Sequence, residues 1–264
     1  MFSVLASLQD DESPPEADDS SPGPPPLIEP LFWLDLEMTG LNPREHHILE
    51  VAMIATDGDL SRTIDGPNLC VHHGEVILSS MNEWSQKQHG ESGLTEQCRE
   101  SAVTLAEAES ALVDFVNAHG TSGYPALLAG ACIYKDLEFI EVHMPRLRAL
   151  LSHRVVDVST VRTLCRVWYP NAARRARGTL GDSSDVSHRA YDDILYSIRE
   201  LQYFRAQCFK EEGKSKGKNQ NRPSSKSARG KPAGHHHGSH GGASAPTGVA
   251  KLVQSMDSAS IEIA

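Results

Sequence analysis

LFWLDLEMTG, residues 31–40, places apolar side chains at Phe32, Leu34 and Leu36 and carboxylates at Asp35 and Glu37. Alternation over residues 31–37 predicts a β-strand. Successive strand side chains point to opposite faces, so Asp35 and Glu37 share one face, about 7 Å apart at their Cα atoms. A carboxylate on a buried strand needs a counter-charge or gives up its own. A bound divalent cation supplies that counter-charge, so the pair points to a metal site.

Outward from this strand the apolar pattern alternates between two periods. Residues 48–56 (ILEVAMIAT) read as a long strand and residues 68–73 as a third. Residues 104–117 read as an amphipathic helix with Leu105, Ala108, Leu112, Phe115 and Val116 on one face. Thr104 and Glu107 have capping-box spacing at its start. Residues 127–129 are a short strand, followed by a helix over 135–143 that Pro145 stops. Residues 155–158 form another strand, and 159–168 a helix closed by Pro170. A long helix over 190–209 turns Ile194, Ile198, Leu201 and Phe204 inward. Strands first in a meander and then interleaved with helices predict an α/β domain, a mixed central sheet flanked by helices.

Three further residues belong with the pair. Asp136 follows a predicted strand and opens a helix, where an acid also favours the helix dipole. Asp193 and His188 lie in SHRAYDDI. Five helical residues would turn the two side chains apart, so His188 is expected in the turn before Ala190, leaning over the helix that presents Asp193; Asp192 reads as a surface acid. Four carboxylates and a histidine suit phosphodiester hydrolysis by two divalent cations. Mg²⁺ or Mn²⁺ is matched by oxygen ligands from Asp35, Glu37, Asp136 and Asp193, and His188 serves as general base.

The remainder of the chain sets limits. At 264 residues and a formal charge of −10, it has room for one ordinary domain with appendages. Residues 1–29 form a Pro/Ser-rich acidic tail expected to be disordered; residues 1–30 hold seven acids and no Lys or Arg. Residues 30–210 carry the periodic apolar pattern. Residues 211–264 form a basic Gly/Ser/His-rich tail, also expected to be disordered, whose histidines His235, His236, His237 and His240 read as low-complexity drift. The acidic balance argues against broad affinity for long duplexes. Five scattered cysteines without a CxxC pair read as intracellular thiols. No run approaches transmembrane length, so no membrane partner is expected. The N-terminus fits neither a secretory nor a transit signal; the cytoplasm or nucleus is the expected compartment, with the mitochondrion as the alternative.

The ordered motifs DLEMTGL (35–41), ILEVAMIATD (48–57), GPNL (66–69), MNEW (81–84), HGESGL (89–94), VDVSTV (156–161), CRVWYP (165–170) and HRAYDD (188–193) resemble the oligoribonucleases among the DEDDh 3′→5′ exonucleases. The resemblance spans nearly all of residues 31–209. It implies a ribonuclease H-like fold, two divalent cations, a homodimer, and release of 5′-mononucleotides from short single-stranded RNA of two to five nucleotides. It also implies that Leu41 wedges against a base, that Trp84 stacks on one, and that His89, Arg154, Ser159 and Thr160 lie near the 5′ phosphate; without it, Trp84 would read as a core aromatic. Two departures stand out. Ala131-Cys132 replaces an Asn-Ser pair, so a thiol takes the place of a hydroxyl, and His153 replaces a tyrosine that stacks from the partner subunit. The segment 174–185 before His188 is longer, basic, and expected to be a loop near the site. A trimmer of longer RNA or DNA 3′ ends, and a silent RNA-binding protein on the same fold, are the competing readings.

Overall fold

In the computed structural model, residues 25–181 and 189–209 are described. A five-stranded sheet, order β3-β2-β1-β4-β5, is built from β1 (Leu31–Met38), β2 (Ile48–Thr56), β3 (Thr63–Cys70), β4 (Ala126–Gly130) and β5 (Leu151–Asp157). β1 pairs antiparallel with β2 and parallel with β4, so the sheet is mixed, as its sequence pattern predicts. β3 begins five residues earlier than expected and carries Gly66 and Pro67 inside it. An edge strand tolerates proline because one side of its ladder is unpaired.

Nine helices complete the described residues: α1 (Glu75–Leu78), α2 (Glu83–Glu91), α3 (Leu94–Glu100), α4 (Leu105–His119), α5 (Tyr134–His143), α6 (Pro145–Leu150), α7 (Val158–Trp168), α8 (Pro170–Leu180) and α9 (Ala190–Cys208). Thr104 caps α4 as its spacing predicts: Glu107 N donates to Thr104 Oγ1, and Thr104 N donates to Glu107 Oε2 at 2.8 Å. Pro145 and Pro170 do end helices, but each also opens the next, because a missing N–H costs nothing at the first helical position. Residues 174–180, expected in a loop, therefore lie in α8. The short polar helices α1–α3 carry too few apolar residues to announce a period; only Leu78, Ser85, His89, Leu94 and Cys98 are buried in them.

The alternation of β1 sorts the core into two layers. Phe32, Leu34 and Leu36 pack with α4 and α5 through Leu112, Val116, Phe139 and Ile140. Leu31 and Trp33 pack on the other face with Ala52, Ile54 and the α9 residues Ile194 and Ile198. Asp35 and Glu37 continue that second row, so the strand's own period aims them at α9. Contacts with the sheet extend ahead of Pro30: Leu27 is buried, and Ile28 N donates to Asp57 Oδ1 at 2.6 Å. Residues 1–24 and 210–264, which hold most of the two expected tails, lie outside the described residues. Among the described residues no helix is long and apolar enough to cross a membrane.

Candidate active site

The site forms where β1 outruns its parallel neighbour. The β1–β4 register stops at Trp33 and Ala129, leaving the last part of β1 without a strand on that side. The Leu36 N–H there donates to Asp136 Oδ1 at 2.9 Å, across 100 residues of sequence. Asp136 sits in the first turn of α5, buried, and its acceptor oxygen stands in for the missing strand. Asp193 arrives from the first turn of α9, one residue before Ile194, which packs that helix onto Trp33 and Ile54. One carboxylate oxygen from each of Asp35, Glu37 and Asp193 lies within 4.8 Å of the other two. Asp136 stands outside that tight trio, but its charge acts on Asp35.

The electrostatics are those of an anionic cluster short of positive charge. Burial, then the charges of Asp136, Glu37, Asp193 and Glu50, hold the Asp35 carboxyl well above the usual carboxylate range. Burial, then Asp193, Glu50 and Asp136, push Glu37 up to about 9, with Arg189 opposing. Asp136 rises to about 8 through burial, against the relief from the Leu36 N–H, and Asp193 to about 6 through burial, Asp192 and Glu50. A divalent cation among these oxygens reverses that sign, because its charge favours the ionised form of every ligand. Hard oxygen donors at this spacing fit such an ion.

His188 lies outside the described residues, which resume at Arg189. The residues expected at the substrate separate into four groups. Leu41 and Trp84 are 54% and 60% exposed, so Trp84 is no core aromatic. His89 is 2% exposed and lies behind the acids: its Nε2 is 3.1 Å from the Met38 carbonyl and its Nδ1 is 3.9 Å from Glu37 Oε2. Ser159 and Thr160 open α7 at the carboxyl end of β5, where Asp157 ties them down. Ser159 N donates to Asp157 Oδ1 at 2.8 Å and Thr160 Oγ1 to Asp157 Oδ2 at 3.1 Å. Cys132 joins this cluster from a left-handed backbone (φ 52°), its thiol donating to Ser159 Oγ at 3.2 Å.

Arg154 is not brought to the acids within one chain. Val155, the next residue, pairs with Leu128, which pairs with Phe32, so Arg154 lies level with the start of β1. It lines a cavity of about 820 Å³ with Leu31, Phe32 and Gly58, and both it and His153 are exposed on the edge strand β5. Two residues that motif reading passed over stand close to the site instead. Glu50 interrupts the apolar run of β2, and Arg189 follows His188; each reads as an ordinary charge until the fold joins them.

Known proteins match this arrangement over most of its length. A model of the exonuclease family (RNase_T) matches residues 32–201. An oligoribonuclease of Arabidopsis thaliana is 43% identical over 220 residues, covering 79% of this chain and 96% of its own. The chain belongs to the oligoribonuclease family. Other oligoribonucleases bear this out: one of Corynebacterium glutamicum is 45% identical, with 68% of this chain and 80% of that one covered. A mitochondrial oligoribonuclease of Mus musculus is 41% identical, covering 70% of this chain and 75% of its own. Among solved structures, exonuclease I from Methylocaldum szegediense superposes with a TM-score of 0.53 at 18% identity, over 68% of this chain and 41% of that one. That likeness is one of fold, and it agrees with the ribonuclease H-like sheet. Family membership and the acid cluster make this oligoribonuclease site one for divalent metal ions.

Proposed function

We propose that the chain is a 3′→5′ exoribonuclease that hydrolyses oligoribonucleotides of two to five nucleotides to 5′-mononucleotides. The convergence of Asp35, Glu37 and Asp193 within 4.8 Å carries the reading, because it gathers ligands for cations at the open end of β1. Two bound cations, Mg²⁺ or Mn²⁺, would supply Lewis acidity at the scissile phosphodiester and its departing 3′ oxygen. Asp35, Glu37, Asp136 and Asp193 hold and neutralise them. His188 serves as the general base that takes the proton from the attacking water.

Substrate length is set by what surrounds the acids. Trp84 offers an exposed ring for a base to stack on, and Leu41 an exposed wedge beside it in function. Ser159 and Thr160 offer hydroxyls to a terminal phosphate, with Cys132 at their side. We assign Arg154 and His153 to the partner's site in a homodimer, because both are exposed at an edge strand and away from their own acids. A dimer also covers the apolar row Leu164, Val167, Trp168 and Tyr169, which one chain leaves exposed. Residues 30–210 carry the activity, with the tails as appendages, and the five free cysteines suit a compartment inside the cell.

The test is cleavage of 5′-labelled di- and heptaribonucleotides with Mn²⁺, using Asp35→Ala as the blank. Faster loss of the dinucleotide, absent in the variant, supports the proposal. Faster loss of the heptamer makes the protein a 3′-end trimmer, and cleavage of neither makes it a silent RNA binder.

A further inference from the structure

A fifth carboxylate stands beside the metal-site acids without joining them. Glu50 lies on β2 directly across from Glu37, fully buried. Cross-strand partners project from the same side of the sheet, so Glu50 faces α9 as Glu37 does. Its oxygens are taken by the start of that helix. Glu50 Oε1 accepts from Arg189 Nη2 at 2.8 Å and Nε at 3.2 Å; Oε2 accepts from Nε at 3.1 Å and from the Ala190 N–H at 3.2 Å. Arg189 Nη2 reaches Gln97 Oε1 on α3 as well, at 2.8 Å. The Arg189 carbonyl accepts from the Asp193 N–H at 3.1 Å.

This arrangement has two effects on the site. It fastens the first turn of α9 to β2 through both side chain and main chain, which sets where Asp193 stands relative to Glu37. It also holds the Arg189 guanidinium in a forked pairing with Glu50. Glu37 is the direct cross-strand neighbour of Glu50, and an arginine fork matches any carboxylate. Released from Glu50, it would pair with Glu37 and occupy the place of a cation.

We propose that Glu50 is a positioning residue for the metal centre: it keeps Arg189 out of the acid cluster and sets the exact placement of Asp193 within it. The proposal rests on the metal-site reading above and adds a role outside the ligand set. It predicts an unusual pattern, in which removing a second charge repairs metal binding damaged by removing the first.

The experiment uses the full chain and two readouts: Mn²⁺ binding by calorimetry, with the metal alone as probe, and steady-state hydrolysis of a diribonucleotide. Glu50→Gln is expected to weaken Mn²⁺ binding about tenfold or more, as loss of outer-shell support for a metal ligand does. Adding Arg189→Gln should return the affinity to within about threefold of the parent, a coupling that independent sites do not show. In that double variant kcat at saturating Mn²⁺ stays about tenfold low while KM for the dinucleotide holds, because α9 has lost its fastening. Parent-like Mn²⁺ affinity in Glu50→Gln, or a double variant as weak as the single, overturns the proposal. Should Glu50→Gln fail to fold by thermal melting, Glu50→Asp decides: it keeps the charge at shorter reach, so Mn²⁺ affinity should survive while kcat falls, and joint loss of both overturns the proposal. A parent that binds Mn²⁺ but cleaves no oligoribonucleotide would sink the exoribonuclease reading and leave the Mn²⁺ titrations to judge Glu50.

Discussion

Glu37 and Glu50 are direct cross-strand partners, two carboxylates on adjacent strands facing the same helix, and they meet different fates. Glu50 is gripped by the fork of Arg189. Glu37 is left in the acid cluster, its carboxyl pushed up to about 9. Like charges opposed across a ladder destabilise a sheet. One member is neutralised by the Arg189 guanidinium, and the other stands in the acid cluster that the proposal assigns to a cation.

The carboxyls that burial raises in the acid cluster make stability depend on pH. Carboxyls raised in the folded state bind protons more tightly than in the unfolded chain, so their contribution favours the fold at low pH and is lost as pH rises through the folded values. For Asp193, Asp136 and Glu37 the window runs from the ordinary carboxylate range up through about 6, about 8 and about 9. Mg²⁺ cancels the effect by holding the ionised forms. The rise in Tm on adding Mg²⁺ should therefore be larger near pH 9 than near pH 6, measured by calorimetric scans with and without the ion. An equal rise at both would contradict it.

Asp35→Asn removes one charge from the cluster. Hydrolysis should fall about a thousandfold, the loss of several kcal/mol of charge stabilisation. The metal-free variant should melt no lower than the parent, since repulsion is relieved, and Mn²⁺ should no longer raise its Tm. A metal-free variant that melts well below the parent would mean that Asp35 is a structural group.

Trp84 is 60% exposed on α2, so truncation should cost little stability. If its ring stacks on a base, worth about 1–3 kcal/mol, Trp84→Ala should raise KM for a diribonucleotide by about 5- to 150-fold. Steady-state kinetics and a melting curve on the same sample check both halves of the expectation.

Gly130 closes β4 beneath the open end of β1. A Cβ there would lie 2.7 Å from the Leu34 carbonyl oxygen and 2.9 Å from Ile133 Cδ1. Backbone cannot give way cheaply at the centre of a sheet, so Gly130→Ala should cost about 1–3 kcal/mol by denaturant titration. Activity should fall with it, because the strand displaced is the one carrying Asp35. By contrast, Thr104→Ala should cost about 1 kcal/mol through the lost cap of α4 and leave kcat unchanged.

Much of the fold is legible in the sequence because its elements obey a local period. β2 has the limits its apolar run predicts, and the α4 cap is where Thr104 and Glu107 announce it. Where local pattern is weak, reading fails. The helices α1–α3 are short and polar, and the start of β3 is hidden by Gly66 and Pro67. α8 follows a proline that a linear reading takes as a stop. Of the site, the four acids are visible as motifs. The positions of His89 behind Glu37 and of Arg154 away from the acids are not, because both depend on which strands lie side by side.

The sequence by itself determined the face on which Asp35 and Glu37 stand, since a strand's two-residue period is a local property of the backbone. It determined the family as well, through motifs in a fixed order. Only the tertiary structure decided that Asp193 closes on that pair, that Asp136 takes the N–H that β4 leaves unpaired, and that Arg189 spans 139 residues to find Glu50. Those contacts depend on packing Ile194 and Ile198 against Trp33 and Ile54, and burial of apolar surface has no signature in sequence distance.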